Sequence, residues 1–174
     1  MFEKNNKYKL LKVFLNNSTD SFRLRELSRL SKISPASVIT YLKEFIKKGL
    51  IKQYEKRGIS FYQAERDSEK FTLYEKISIL YELNSSGIVE FLWDKLSPHA
   101  IILYGSFARG QAIEDSDIDL FIVGKEKKVN LENFERLLGK KIHLMFEEQP
   151  KKIPEKLKIN LINGIVLKGY FDLE

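Results

Sequence analysis

At 174 residues, with no cysteine, two histidines and a formal charge of +6, the chain is sized for two small domains and has no disulfide, thiolate metal site or cysteine nucleophile. No apolar run approaches the ~18 residues of a membrane-spanning helix, and Met1 to Lys7 lack the basic start and apolar core of a signal peptide, so a cytoplasmic protein without membrane partners is expected. A bound metal would have to be held mainly by oxygen.

The charge is unevenly spread. Residues 1–65 hold 14 Lys and Arg against 6 Asp and Glu, whereas residues 66–174 hold 16 against 18. A basic module joined to a mildly acidic one suits a polyanion partner, because lysines and arginines that neutralise phosphates release counterions. The same excess also serves as a solvated lysine-rich surface.

In chain order, Lys7 to Leu15 reads as a short helix with Leu10, Val13 and Phe14 as its apolar stripe. A brief extended piece, Ser21 to Leu24, precedes a second helix, Arg25 to Ser31, with Leu27 and Leu30 expected to face inward. A third helix starts at Ser34, a capping residue, with Pro35 at the first helical position, and runs to about Lys48 with Val38, Leu42 and Phe45 or Ile46 as its buried stripe. Gly49 stops it. Two alternating runs, Leu50 to Glu55 and Ile59 to Gln63, flank Lys56-Arg57-Gly58 and predict a β-hairpin with a basic tip.

This order, over roughly residues 5–64, resembles the winged helix-turn-helix of many prokaryotic repressors. The resemblance implies a helix in the major groove of double-stranded DNA and a wing against the backbone, with Ser34, Ser37, Thr40, Tyr41 and Lys43 on the helix and Lys56 and Arg57 on the wing as DNA-binding residues. Some winged helices serve protein contact instead.

Residues 66–97 read as connecting helices with a wide apolar face that includes Phe71, Leu73, Tyr74, Ile77, Leu80, Tyr81 and Leu83. So broad a face needs cover, from the chain's own core or from a second copy in a homodimer.

From Ala100 an apolar run ends in Gly105-Ser106, a buried strand stopping at a tight turn where the missing Cβ lets a phosphate approach the backbone. Asp117-Ile118-Asp119-Leu120-Phe121-Ile122-Val123 reads as a second strand, with Asp117 and Asp119 on one face and Ile118, Leu120 and Ile122 on the other. Two carboxylates so close repel unless a cation lies between them, which suits Mg²⁺ with nucleotide phosphates; an isolated Asp-x-Asp at an exposed strand start is more readily read as a solvated pair.

Gly105-Ser106 joined to Asp117-x-Asp119, with Phe107-Ala108-Arg109-Gly110 and Ser116-Asp117-Ile118-Asp119-Leu120, resembles the minimal nucleotidyltransferases over about residues 86–170. The resemblance implies that Gly105, Ser106 and Arg109 surround the phosphates of ATP or another nucleoside triphosphate. It makes Asp117 and Asp119 the catalytic metal ligands for Mg²⁺, and it implies a cognate protein partner. The strand Lys141 to Glu147 would bear a third carboxylate in that family, but His143 stands there, a poor Mg²⁺ ligand that can still act as a base. Glu147 lies four positions on, some 13 Å along an extended strand.

The expected class is α+β: a winged helix-turn-helix over 1–65, a helical connector over 66–97 and a nucleotidyltransferase-like domain with a small mixed sheet over 98–174. Two functions follow, a DNA-associated nucleotidyltransferase or a transcriptional regulator whose degenerate second domain senses nucleotide or dimerises.

Overall fold

The structure, a computed structural model, describes residues 5–172 and divides into two compact units, 1–75 and 76–174. In the first, α1 (Asn6–Asn16), β1 (Ser21–Phe22), α2 (Leu24–Ser31) and α3 (Pro35–Lys47) are followed by β2 (Ile51–Lys56) and β3 (Ile59–Ala64). The strands form an antiparallel sheet of order β1-β3-β2. Asn5 caps α1 through its side chain, and Ser34 caps α3 with Pro35 in the first turn, so both starts use groups able to satisfy free helical N–H groups. Leu10, Phe14, Leu27, Val38, Leu42 and Phe45 are buried together with Phe22 and Leu50.

The first unit departs from the sequence expectation at Leu24 and Leu30. Leu24 opens α2 instead of extending β1. Leu30 is 48% exposed, because the inward position four residues after Leu27 is taken by Ser31, whose hydroxyl donates back to the Leu27 carbonyl at 2.6 Å. A small polar residue that satisfies itself on its own helix can be buried where the apolar pattern suggested leucine.

The hairpin tip is tighter than the expected three-residue turn. Lys56 pairs directly with Ile59, leaving Arg57 and Gly58 as a two-residue loop with φ of +54° and +75°. Positive φ at both central residues is the hairpin turn whose twist matches that of the flanking strands.

The long helix α4 (Glu69–Ser85) spans the boundary between the units. Phe71 belongs to the first core, and Ile79 and Leu83 to the second, so the stretch 66–97 is shared between them. Leu73 and Ile77 of its apolar face remain exposed.

The second unit continues with α5 (Ile88–Leu96), β4 (Ala100–Tyr104), α6 (Gly105–Arg109), β5 (Ile118–Val123), α7 (Glu132–Leu138), β6 (Ile142–Glu147), a 3₁₀ turn at Pro150–Lys152, α8 (Glu155–Ile162) and β7 (Ile165–Gly169). Its sheet has the order β6-β5-β4-β7, parallel between β5 and β6 and antiparallel elsewhere, the small mixed sheet expected of the α+β class. Alternate residues of β4 and β5 feed two cores. Ile101, Leu103, Ile118, Leu120 and Ile122 pack with Leu83, Ile88 and Leu92, whereas Ile102, Tyr104, Phe121 and Val123 pack with Ile153 and Leu161. Period-two alternation thus puts Asp119 on the same sheet face as Tyr104 and Phe121.

Phe14 is fully buried and Leu137 is 68% exposed. Phe14→Ala should therefore lose about 3–5 kcal/mol in chemical denaturation, and Leu137→Ala should stay within about 0.5 kcal/mol of the parent.

Candidate functional site

The backbone around Gly105 sets the geometry. Tyr104 ends β4, and Gly105, with φ +73°, turns the chain directly into α6, so the expected tight turn is the start of a short helix. Tyr104 lies opposite Asp119 in the antiparallel pair, and Asp119 lies beside His143 in the parallel one. A Cβ on Gly105 would collide with Oδ2 of Asp119. Glycine is therefore required twice, for a left-handed backbone and for the space the carboxylate fills.

Ser106 is half-buried, and its carbonyl accepts the Gln111 N–H at 2.9 Å. Arg109 is exposed at the end of the helix and donates from Nε to Oε1 of Gln111 at 3.2 Å. Asp117 precedes the first residue of β5, one position outside the strand in which it was expected, and it nevertheless converges with Asp119. The imidazole of His143 faces both: Nε2 is 3.6 Å from Oδ2 of Asp117, and Nδ1 is 3.9 Å from Oδ1 of Asp119. These distances exceed those of hydrogen bonds. His143 is exposed, and Glu147, at the far end of β6, accepts the Gln149 N–H at its own carboxylate.

The electrostatics follow from this crowding. Partial burial pushes the Asp119 carboxyl above the usual carboxylate range, with His143 pulling it down, Asp117 pushing it further up and Arg109 lowering it. Burial raises the neighbouring Tyr104 phenol, and the Asp119 charge adds to that rise. Both effects have one origin, negative charge gathered where solvent is partly excluded.

Among the described residues, no group of three or more His, Cys, Asp or Glu side chains is disposed to hold a metal ion. The donor chemistry at the strand ends is two carboxylates with an imidazole across from them. Two hard oxygen donors suit a divalent cation, and the imidazole adds no third hard ligand.

In the first unit, the sequence-predicted DNA-contacting residues lie along α3 and at the hairpin. Ser34, Thr40, Lys43, Lys56 and Arg57 are exposed, and Ser37 is half-buried. Several are already engaged: the Ser34 hydroxyl accepts the Ser37 N–H at 3.3 Å, Thr40 donates to the Ala36 carbonyl at 3.2 Å, and Tyr41 packs against the first core.

A glycine-opened helix thus follows a buried strand, and two carboxylates stand at the start of the next strand, Asp117 just before it and Asp119 within it. The model of the nucleotidyltransferase domain matches residues 85–167, which takes in all of these site residues of the second unit. No curated protein matches the chain. Among solved structures, a proposed nucleotidyltransferase from Sulfolobus solfataricus is similar, with 20% sequence identity, 60% of this chain and 96% of the other covered, and a TM-score of 0.33. No helix among the described residues is long and apolar enough to cross a membrane.

Lys140 escaped the sequence reading: it carries no motif of its own, and its reach to the loop before Asp117 depends on how the strand after it pairs with β5. The signal available was only its place after Gly139, where the chain leaves α7.

Gly105→Ala should destabilise the protein by about 1–2 kcal/mol, from the left-handed backbone alone. It should also displace Asp119, so an unchanged melting temperature with an unmoved Asp119 signal in a carboxyl-labelled NMR spectrum would refute the account of the turn.

Proposed function

We propose that the chain is a DNA-associated protein whose second unit binds a nucleoside triphosphate, ATP or a relative, and transfers its nucleotidyl group. The observation that carries the reading is the seating of the Asp119 carboxylate in the space left by Gly105, which brings the two halves of the motif together. The matched nucleotidyltransferase domain supports it.

In this reading the Ser106 hydroxyl and the glycine turn receive a phosphate, and Arg109 supplies positive charge to the same group. Asp117 and Asp119 would hold a divalent cation such as Mg²⁺, which when bound neutralises phosphoryl charge and makes the attacking hydroxyl more acidic. Partial burial raises the Asp119 carboxyl and the nearby Asp117 adds to the rise, and a cation held between the two would favour their charged forms. His143 favours a second reading, in which the unit senses nucleotide without turning it over and the protein acts as a transcriptional regulator. Labelled nucleotide transfer by the purified protein separates the two.

For the first unit we propose a winged helix-turn-helix that binds duplex DNA, supported by its element order, the exposed Lys43, Lys56 and Arg57, and its excess of basic residues. Contact to sequence would fall to Ser34, Ser37, Thr40 and Tyr41 on α3, and homodimers or a cognate protein partner remain part of this proposal.

Asp117→Asn combined with Asp119→Asn should abolish Mg²⁺-dependent ATP binding in calorimetry while leaving the melting temperature of the metal-free protein equal or higher, since the removed charges repel. A large drop in melting temperature would instead mark the pair as structural. His143→Asp should bind Mg²⁺ more tightly than the parent, each anionic oxygen adding attraction for a hard cation; equal affinity would remove His143 from the site.

Duplex DNA binding by the full chain should weaken with salt by about 0.9 log units per phosphate contact per log unit of salt. Changing Lys56 and Arg57 together to Ala should flatten that slope by about 1–2 and lower affinity for all sequences alike. Salt-independent binding, or none at low salt, would end the DNA-binding proposal.

A further inference from the structure

The loop between the two halves of the motif is held by a residue that neither half contains. After α7 the chain turns at Gly139, and the Lys140 N–H donates to the Glu135 carbonyl at 3.2 Å. The Lys140 ammonium then reaches across to the loop and donates to the carbonyls of Ile113, at 3.4 Å, and Glu114. It also lies 5.8 Å from the centre of the Phe107 ring, next in sequence to Ser106. One cation thus touches the helix that follows Gly105 and the loop that leads into Asp117.

The loop is further closed on itself and on the next residue. Ser116 Oγ accepts the Ile113 N–H at 2.8 Å, and the Ser116 N–H donates to the Ile113 carbonyl at 3.0 Å. Beyond Asp117, the Ile118 N–H donates to the Lys141 carbonyl at 2.8 Å. Asp117, outside the ladder of β5, is therefore fixed from before by the Lys140 side chain and from after by the neighbouring Lys141 backbone. Asp119 needs no such help, because strand pairing on both sides holds it.

We infer that Lys140 is a positioning residue for the nucleotide site: its ammonium holds the 113–116 loop against Phe107 and so sets where the Asp117 carboxylate stands. The inference rests on the nucleotide-binding reading for its consequence and on geometry alone for the loop. A charged donor to two carbonyls is stronger than a neutral hydrogen bond, and its removal takes that charged tie away from the loop. Arginine keeps charge and donors, whereas methionine keeps length and loses both.

The test uses the full-length protein with Lys140→Met and Lys140→Arg. Amide hydrogen exchange at Ile113, Ser116 and Ile118 should quicken in Lys140→Met and return toward the parent in Lys140→Arg, with the melting temperature of the whole protein little changed. Exchange that stays at the parent rate in Lys140→Met overturns the inference whether or not nucleotide binds. In calorimetry with Mg²⁺ and ATP, Lys140→Met should bind about tenfold more weakly, the size of one charged hydrogen bond, and should lose nothing further once Asp117→Asn is present. Losses that add independently in the double variant would show that Lys140 does not act through Asp117. A parent protein that binds no nucleotide, and does not differ from Asp117→Asn, would sink the nucleotide reading instead, while the exchange result would still decide the role of Lys140 in the loop.

Discussion

The second unit depends on a vacancy of one methyl group. Because Gly105 has no Cβ, the carboxylate of Asp119 can lie against the end of β4. The half of the site that Asp119 supplies is built around that contact. Strand pairing sets Tyr104 opposite Asp119 and brings His143 of the parallel strand alongside it. The left-handed Gly105 also turns the chain into α6, and Arg109 at the end of that helix acts on the Asp119 carboxyl through its charge. The cost is electrostatic: a half-buried acid is pressed toward its neutral form.

The sheet makes that concentration of charge tolerable. One face of β4 and β5 buries Ile101, Leu103, Ile118, Leu120 and Ile122 completely, so the strands are held by packing that owes nothing to the acids. The opposite face carries its own core of Tyr104, Phe121, Ile153 and Leu161 and then gives way to Asp119 at the strand end. Polar chemistry is thereby confined to the margin of an apolar frame, where solvent and ligands can reach it.

Much of this was legible from residue order because the deciding physics is local. A cap followed by proline at Ser34-Pro35 and the alternation of the hairpin strands are short-range rules, and those elements stand where the rules put them, whereas β5 begins one residue after Asp117. What was not legible depends on contacts distant in sequence or on a residue's own backbone bonds. Leu30 obeys helical spacing and is nonetheless exposed, since Ser31 satisfies its hydroxyl on the Leu27 carbonyl and fills the inward place. Tyr41, read as a DNA-contacting residue of α3, also packs part of its side chain against the core, which its position in the sequence does not announce. The hold of Lys140 on the loop before Asp117 exists only once β6 has paired with β5, and nothing in its neighbours announces it.

His143 stands on β6, one of the two edge strands of the sheet, and its side chain is 64% exposed. A residue so placed supports no packing, so its identity can change without any repair in the interior. The frame and the chemistry at this position are consequently separable traits. Exchanging the imidazole for a carboxylate, or for an amide, would change the charge facing Asp117 and Asp119 in a single step, with the packed frame left as it is.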